Sequence, residues 1–393
     1  MNYVDNIVKE KYEKFSNIDY KIEKELKVDV ILNGFVLPVK KYYNPHKTLC
    51  GTGGVVDSRY NYVQSSAMLG HNMADRLCES YDFNRKNVEY INESVIYINH
   101  FIHHWGHYLL DVINRLWYIL DKDVNKLKFV YIVRENDGDY IRGNYLELLE
   151  LLGIKKENLI RINKVTQFKE VIVPEASLYP GKYFTKEYKM IFDRIIENVN
   201  IGQIDLKSNI YCSRSQLKKA KRTEIGEEEL EKIFNQNGFE SVYMEKMTVR
   251  EQIKVINNAK TIVAISGTIP HNLLFARNAP HVIILNKTYK LNLHQFIINQ
   301  ISNAKVDFID TNISPMPIQY GKGPFIMKVT DNLKQFCVQN NLKLYCEVDY
   351  RVTVQEKIWY YYKYLIANRG RIVKDKEISF KEIRSIYKHK VSE

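Results

Sequence analysis

The chain has 393 residues, 45% hydrophobic and 26% charged, a balance typical of folded globular proteins and not of disordered or fibrous ones. Its formal net charge of +12 indicates an anionic partner: a nucleic acid, an acidic membrane surface or a phosphate-bearing substrate. A merely solvated basic face is the alternative. No apolar stretch reaches the roughly 18 residues of a membrane-spanning helix, and the charged start lacks the apolar core of a signal peptide.

The cysteines form neither close pairs nor a metal-ligand spacing, so we expect free thiols in a reducing, cytoplasmic compartment. The five are Cys50, Cys78, Cys212, Cys337 and Cys346. The chain length predicts two domains of about 100–200 residues each.

In chain order, the first element is a charged helix predicted over residues 3–26. Short β-type runs follow, with helical patterns over residues 103–120 and 144–152 between some of them. The strands are predicted at residues 28–32, 54–56, 95–99, 129–133 and 171–174. Around residues 178–205 the pattern becomes helical and then polar, which indicates a linker. We therefore expect an α/β domain over residues 1–200.

The second half alternates strictly between strands and helices, which predicts a parallel sheet with helices on both faces over residues 205–315. The strands are predicted at residues 209–213, 241–244, 261–265, 282–285 and 305–309. The helices are predicted at residues 227–237, 249–258 and 271–277, with a further helix before the last strand. Thr248 and Glu251 form a capping box at the start of one of them.

Residues 316–393 are predicted to be a helical extension that packs back on the two domains. The helix at residues 353–368 is rich in aromatic side chains. Such a stripe favours a packing surface over a ligand platform.

The helix at residues 103–120 sorts imidazole and carboxylate groups onto one face. At about 100° per residue, His104, His107, Asp111 and Arg115 share a narrow arc opposite an apolar stripe. The apolar stripe must face the core, so the polar arc is predicted to face water or a cleft. His107 and Asp111 can hydrogen-bond, a pair suited to general base catalysis. A structural His–Asp pair and, more weakly, a metal site are the alternatives.

Two later stretches are suited to an anion. Basic residues follow the strand at 209–213, at the end where α/β sheets place ligands. They are Arg214, Lys218, Lys219, Lys221 and Arg222. Another strand ends at Ser266, Gly267 and Thr268, and a helix beginning near Pro270 would direct backbone N–H groups toward an anion. A solvated loop and an ordinary strand–helix turn are the alternatives.

Together these stretches resemble glycosyltransferase family 61, the DUF563-type transferases, over roughly residues 95–290. The family motif Asn-x-x-His-x-x-x-Asp is matched by His107 and Asp111, while His104 stands in place of the Asn. The family's strand with Ser-Arg is matched by Ser213 and Arg214.

The family's glycine-rich loop, of the type His-Gly-Ala-Gly-Leu-x-Asn, is matched by residues 266–272. Gly267 and Asn272 fit this loop, whereas Ser266 replaces its His and Ile269 its second Gly. An inactive family member that only binds a nucleotide sugar is therefore an alternative, as is a basic nucleic-acid-binding protein.

The resemblance implies a GT-B-like α/β fold in which two Rossmann-like lobes face a cleft, with a C-terminal helical segment. It implies an inverting transfer from a nucleotide diphosphate sugar, with UDP-sugar favoured. The acceptor would be a glycan or lipid-linked glycan of bacterial capsule or lipopolysaccharide synthesis, made by a cytoplasmic enzyme with peripheral contact to an anionic membrane. Nucleic acid is not an expected partner.

The same resemblance implies the site residues. Asp111, His107 and His104 would be catalytic, with Asp111 preferred over His107 as the base. The nucleotide sugar would be bound by Arg214, Lys218, Lys219, Arg222, Ser266, Gly267, Thr268, His271 and Asn272. No metal cofactor is predicted, because cations such as Arg214 can stabilise the departing diphosphate. The two Asp-x-Asp sequences, at residues 121–123 and 137–139, are interpreted as turns.

Overall fold

The computed structural model describes most of the chain. The described residues are 3–41, 51–68, 70, 79–134, 138, 140–202, 206, 208–217, 223–315, 323–344 and 352–374. They form a mixed α/β structure with two main sheets, as predicted.

The N-terminal sheet has seven strands and mixed direction. Its order is Gly51–Val56, Phe35–Lys41, Thr166–Pro174, Glu89–His100, Phe129–Ile132 and Leu159–Ile162, and Val28–Leu32 also pairs with Thr166–Pro174. The last four strands of this order run parallel, and the remaining pairs are antiparallel. The predicted strands are confirmed. Several are longer than predicted, because turn and charged residues at their ends still pair.

The C-terminal sheet is fully parallel, which confirms the prediction from strand–helix alternation. Its order is Phe239–Val242, Ser208–Cys212, Ala259–Ile265, His281–Asn286 and Lys305–Asp310. The connecting helices are Glu227–Gln236, Val249–Asn258 and Leu293–Ser302, with the 3₁₀-helix Ile269–Phe275 between two of the strands. The capping box of Thr248 and Glu251 is present.

The first helix is shorter than predicted, and it packs on the C-terminal half of the molecule although it precedes the N-terminal sheet in the chain. It covers only Asn6–Ser16, because the following chain is held in an extended path: Lys21 pairs with Phe184, and Gln300 accepts the backbone N–H of Tyr20. The helix packs on the C-terminal side of the molecule, against helix Leu293–Ser302. The predicted domain boundaries stay a prediction. The contact between the first helix and helix Leu293–Ser302 joins residues on opposite sides of the boundary predicted at residue 200.

Residues 105–119 form one helical segment of three unlike turns. They are the α-helix Trp105–His107, the π-helix Tyr108–Val112 and the 3₁₀-helix Ile113–Ile119. The helix prediction is confirmed in position, and His104 and His107 of the predicted polar arc line a cavity, but the prediction is wrong for Asp111 and Arg115. Asp111 and Arg115 are buried, and the Arg115 guanidinium donates to the carbonyl oxygens of Pro174 and Ala67 instead of facing a cleft.

The two sheets meet at a junction of direct contacts. Carboxylate oxygens of Glu147, on helix Asn144–Glu150, accept the backbone N–H groups of Val249 and Arg250 at 2.8 and 3.2 Å. A side chain of the N-terminal half therefore caps a helix of the C-terminal half. Helix Lys186–Val199, in the predicted linker, contacts both halves. One hydrophobic cluster contains buried residues from each.

The C-terminal extension adds two helices, Asp331–Gln339 and Val354–Lys374, and a short strand Phe325–Ile326 paired with Glu224–Ile225. Tyr360 and Tyr364 pack around Ile326, as predicted for part of the aromatic stripe. None of the described helices is long and apolar enough to cross a membrane. Cys212 and Cys337 are free thiols as predicted, and the other three cysteines lie outside the described residues.

Candidate active site

A cavity of about 390 Å³ lies between the two halves of the molecule. The N-terminal half contributes the start of the helical segment, and the C-terminal half contributes residues near the carboxyl ends of parallel strands. This is where open parallel sheets place ligands. Its lining includes the side chains of His104, His107, Arg214, Glu224, Thr268, His271, Lys287 and Asn292.

His107 stands between this cavity and Asp111. The two residues form a hydrogen bond of 3.0 Å from His107 Nδ1 to Asp111 Oδ2. The His107 side chain is 19% exposed and lines the cavity, whereas the Asp111 side chain is 3% exposed and lies behind it. A proton on Nδ1, shared with Asp111, leaves Nε2 as the basic nitrogen. This arrangement fits a general base that is oriented by a buried carboxylate.

His104 lies at the exposed edge of the same cavity. Its Nδ1 accepts the backbone N–H of His107 at 3.5 Å, so it caps the helical segment. The two imidazole centroids are 4.8 Å apart. The three residues predicted from sequence to be catalytic are therefore separated: His104 and His107 face the cavity, and Asp111 lies behind His107 and bonds to it.

Across the cavity, the buried Glu224 and Lys287 form a cluster with Arg214, whose side chain is 16% exposed. Glu224 pairs with Arg214 at 2.8 Å (Oε2 to Nε) and with Lys287 at 2.6 Å (Oε1 to Nζ). Burial alone would raise the pKa of Glu224, but its two ion pairs outweigh this and hold the pKa below the ordinary value. Burial lowers the pKa of Lys287, and Glu224 limits the fall. The cluster carries two cations for one carboxylate.

Gly267 brings the backbone close to both cations. A methyl group built on it would lie 3.6 Å from Arg214 Nη1 and 3.6 Å from Lys287 Nζ. Both nitrogens therefore reach the same space beside Gly267. An anionic group of a ligand would find two positive charges there, with no side chain of residue 267 in the way.

Two further carboxyl groups, those of Glu227 and Glu231, lie beside Ser213 and Arg214. Glu227 accepts the backbone N–H of Arg214 at 2.6 Å, and Glu231 accepts a hydrogen bond from Ser213 at 2.8 Å. Burial and the neighbouring charge of Glu224 raise the pKa of Glu227 to about 8. Glu227 is consequently largely protonated at neutral pH, which leaves the charge of Glu224 as the main counter-charge of the cations.

His271 is a buried, neutral imidazole on the floor of the cavity. Burial, with small contributions from His104 and His107, lowers its pKa to about 3. The Asn292 amide donates to its Nε2 at 3.1 Å. A Cβ atom on Gly106 would lie 2.9 Å from its Nδ1, so glycine at 106 permits the two halves to approach.

Two sequence-predicted ligands lie outside this cavity. Asn272 accepts from Trp105 Nε1 at 2.7 Å and donates to Gln252 at 2.9 Å, so it braces the two halves. The Ser266 hydroxyl accepts the backbone N–H of Lys287 at 3.2 Å and fixes the neighbouring strand end. The predicted helix at this loop is a 3₁₀-helix of seven residues, so its dipole contributes less than the side-chain cations do.

Other predicted residues lie outside the described residues: Lys218, Lys219, Lys221, Arg222 and the Asp-x-Asp positions Asp137 and Asp139. In the other Asp-x-Asp sequence, at residues 121–123, Asp121 pairs with Lys122 and Asp123 caps a 3₁₀ turn. Among the residues that the structure describes, no group of three or more His, Cys, Asp or Glu side chains is suited to a metal ion.

Sequence reasoning missed Lys287, Glu224 and Asn292. Lys287 directly follows strand His281–Asn286, and a cation at the carboxyl end of a predicted parallel strand was an available signal. A larger recess, of about 650 Å³, lies between residues 21–26 and Lys186. It contains mixed surface charges with Trp117 and no imidazole, so it lacks the chemistry of the inter-sheet cavity.

The His107–Asp111 pair thus faces a cluster of two cations and one carboxylate across the cavity. Residues 105–283, a little under half of the chain, match the family described as Glycosyltransferase 61. The match indicates that the protein is a glycosyltransferase, which confirms the enzyme class predicted from sequence. No curated protein matches the chain.

Proposed function

We propose that this glycosyltransferase transfers a sugar from a nucleotide diphosphate donor to a glycan hydroxyl by an inverting mechanism, in a GT-B-like cleft. One observation carries the proposal: Arg214 and Lys287 converge beside Gly267, opposite the His107–Asp111 pair in one cavity. The donor phosphates would bind to the cations and the acceptor would enter on the imidazole side.

His107 would be the base. Its Nε2 would take the proton from the acceptor hydroxyl as that oxygen attacks the anomeric carbon. Asp111 would hold the imidazole orientation and stabilise the imidazolium that forms. A positioned general base accelerates such a step by about 10²–10⁴-fold. Burial of Asp111 favours His107 as the base, the reverse of the assignment preferred from sequence.

The leaving group would be stabilised by Arg214 and Lys287. As the bond between the anomeric carbon and the phosphate oxygen breaks, its electron pair moves to the diphosphate. Fixed cations in a site shielded from water stabilise such a charge strongly. Resemblance to the bacterial family members supports a UDP-sugar donor and a surface-polysaccharide acceptor.

Calorimetric titration with UDP, GDP, CMP and dTDP sugars tests the donor proposal. We expect one diphosphate sugar to bind, and Arg214→Ala and Lys287→Ala each to weaken it at least about tenfold, as for loss of a charged hydrogen bond. Lys232→Ala removes an exposed cation of the same half and serves as control. Unchanged affinity in both site variants would contradict the proposal, and salt-sensitive binding to arbitrary RNA without nucleotide-sugar binding would favour a nucleic-acid-binding protein.

We also propose that transfer needs no divalent metal, since Arg214 and Lys287 can supply the positive charge that a metal would offer the diphosphate. Transfer measured in excess EDTA should equal transfer without it. Loss of activity in EDTA that Mn²⁺ or Mg²⁺ restores would contradict this proposal.

A further inference from the structure

The C-terminal helix Val354–Lys374 has two apolar faces. Its inner face is anchored by the buried Tyr360 and Tyr364. Its outer face carries large hydrophobic side chains that are 45–73% exposed: Val354, Ile358, Trp359, Tyr362, Leu365 and Ile366. We call these six residues the outer stripe. An exposed helix face is ordinarily polar, so this stripe needs a partner.

The outer stripe is contiguous. At about 100° per residue, its members fall within roughly 140° of the helix circumference, centred opposite Tyr360 and Tyr364. They extend from residue 354 to residue 366, about 18 Å along the helix axis. Only Gln355 interrupts this arc with a polar side chain.

The charges of this helix select the partner. It contains five cations, Lys357, Lys363, Arg369, Arg371 and Lys374, and a single acid, Glu356. Glu356 is held at 2.9 Å by Lys328. Lys363 lies over the Trp359 ring, 4.2 Å from its centroid, and can extend its ammonium group beyond the stripe. A second copy of this helix would bring like charges together.

We propose that the outer stripe docks on an anionic lipid bilayer, with the helix lying in the plane of the interface. Aliphatic side chains would enter the boundary between headgroups and acyl chains. Trp359 and Tyr362 would sit at the headgroup level, and Lys363 would contact anionic headgroups. The sequence beyond the helix adds Lys376, Lys381, Arg384, Lys388 and Lys390 against three acids up to that point, Asp375, Glu377 and Glu382.

Co-sedimentation of the full chain with vesicles tests this proposal. We expect binding to phosphatidylcholine vesicles that contain phosphatidylglycerol, weaker binding to phosphatidylcholine alone, and weakening by salt. Replacing Ile358 and Leu365 together by Ser should reduce the affinity at least about tenfold. The control replaces Val30 and Leu32, an exposed apolar pair on a strand of the N-terminal sheet, by Ser, and should bind like the wild type.

Trp359 provides a second measurement, independent of that variant. Its fluorescence should shift to the blue when anionic vesicles are added, and Trp359→Phe should remove the shift. Three results would overturn the proposal: no vesicle binding, equal binding by the Ile358/Leu365 variant, or a dimer in solution that this variant converts to a monomer. The last result would assign the stripe to a second copy of the chain.

Discussion

At the residue scale, His107 and Asp111 divide the roles of the proposed base. His107→Ala should lower kcat for transfer by about 10²-fold or more, because it removes the imidazole that Asp111 orients toward the cavity. Asp111→Asn keeps the size of the side chain and should cost less, since the imidazole remains. Calorimetric affinity for the nucleotide should stay unchanged in both variants, because the cations lie across the cleft.

The opposite ranking would reassign the base. If Asp111→Asn abolishes transfer while His107→Ala retains much of it, the buried carboxylate takes the proton, as preferred from sequence. If Asp111→Asn instead lowers the melting temperature with no specific loss of transfer, the pair is structural.

Glu224 and Glu227 lie three positions apart and differ in charge, which makes them matched variants. Glu224→Gln leaves Lys287 and Arg214 without their counter-charge and should destabilise the fold by about 3–5 kcal/mol. Glu227→Gln should cost about 1 kcal/mol or less at pH 7, since Glu227 is already largely protonated. Urea unfolding measures both, and equal losses would contradict the charge assignment.

His271 makes stability depend on pH. Its pKa is about 3 in the folded protein and about 6.5 when unfolded, so its contribution is complete above pH 6.5 and is lost as the pH falls toward 3. Between pH 3 and pH 6.5 the free energy of unfolding should rise with pH by a contribution from His271 that approaches about 1.4 kcal/mol per pH unit. His271→Gln should flatten the slope in urea unfolding at several pH values, and an unchanged slope would show that other groups dominate.

The sequence predicted the local part of this site and missed the distant part. His107 and Asp111 are four residues apart on one helical segment, so spacing alone brings them together. Glu224 and Lys287 are separated by 63 positions and meet only through strand order and register. A single sequence shows which residues are close along one helical segment. It does not show which distant residues the sheet brings together.

At the element scale, the helical segment at residues 105–119 shows why a constant angle per residue gave a wrong prediction for two side chains of the polar arc. Most strands were predicted because alternation and apolar runs report them directly, but Phe35–Lys41 and Leu159–Ile162 of the N-terminal sheet were missed. The π turn at Tyr108–Val112 widens the helix after His107, so residues beyond it leave the arc drawn at a constant angle. Arg115 therefore enters the interior and binds backbone carbonyls. Its partners, Pro174 and Ala67, lie outside the helical segment, so the periodicity of that segment could not predict them.

Gly106 in this segment sets how closely the two halves approach. Gly106→Ala would place a Cβ atom 2.9 Å from His271 Nδ1 and 3.2 Å from Thr268 Cγ2. Such overpacking typically costs about 1–3 kcal/mol, more than the roughly 0.5–1 kcal/mol that Ala gains in a helix. We expect lower stability and reduced transfer, measured by thermal unfolding and kcat. Gly138→Ala, with open space around it, is the control; a neutral Gly106→Ala would show that the junction yields easily.

At the scale of the whole molecule, the two halves share one hydrophobic cluster, and Glu147 of the N-terminal half caps a helix of the C-terminal half. We therefore expect one cooperative unfolding transition in calorimetry, in contrast to independently melting domains. A donor at about 100 times its Kd should stabilise the whole transition by about 2.7 kcal/mol. Two separate transitions, with only one shifted by the donor, would contradict a shared core.

The contact of the chain's first described residue has a consequence for biosynthesis. Tyr3 adds a bridge to the edge of the C-terminal sheet, donating its N–H to Phe308 O at 2.8 Å and accepting from Asp310 N at 2.9 Å. At about 5–20 residues per second, a ribosome needs roughly 15–60 s to supply that edge. Until that strand is synthesised, the segment around Tyr3 lacks its pairing partner, and we expect it to be accessible to chaperones and proteases. Ribosome-arrested chains ending before residue 305 should be cleaved in this segment, and full-length chains should resist.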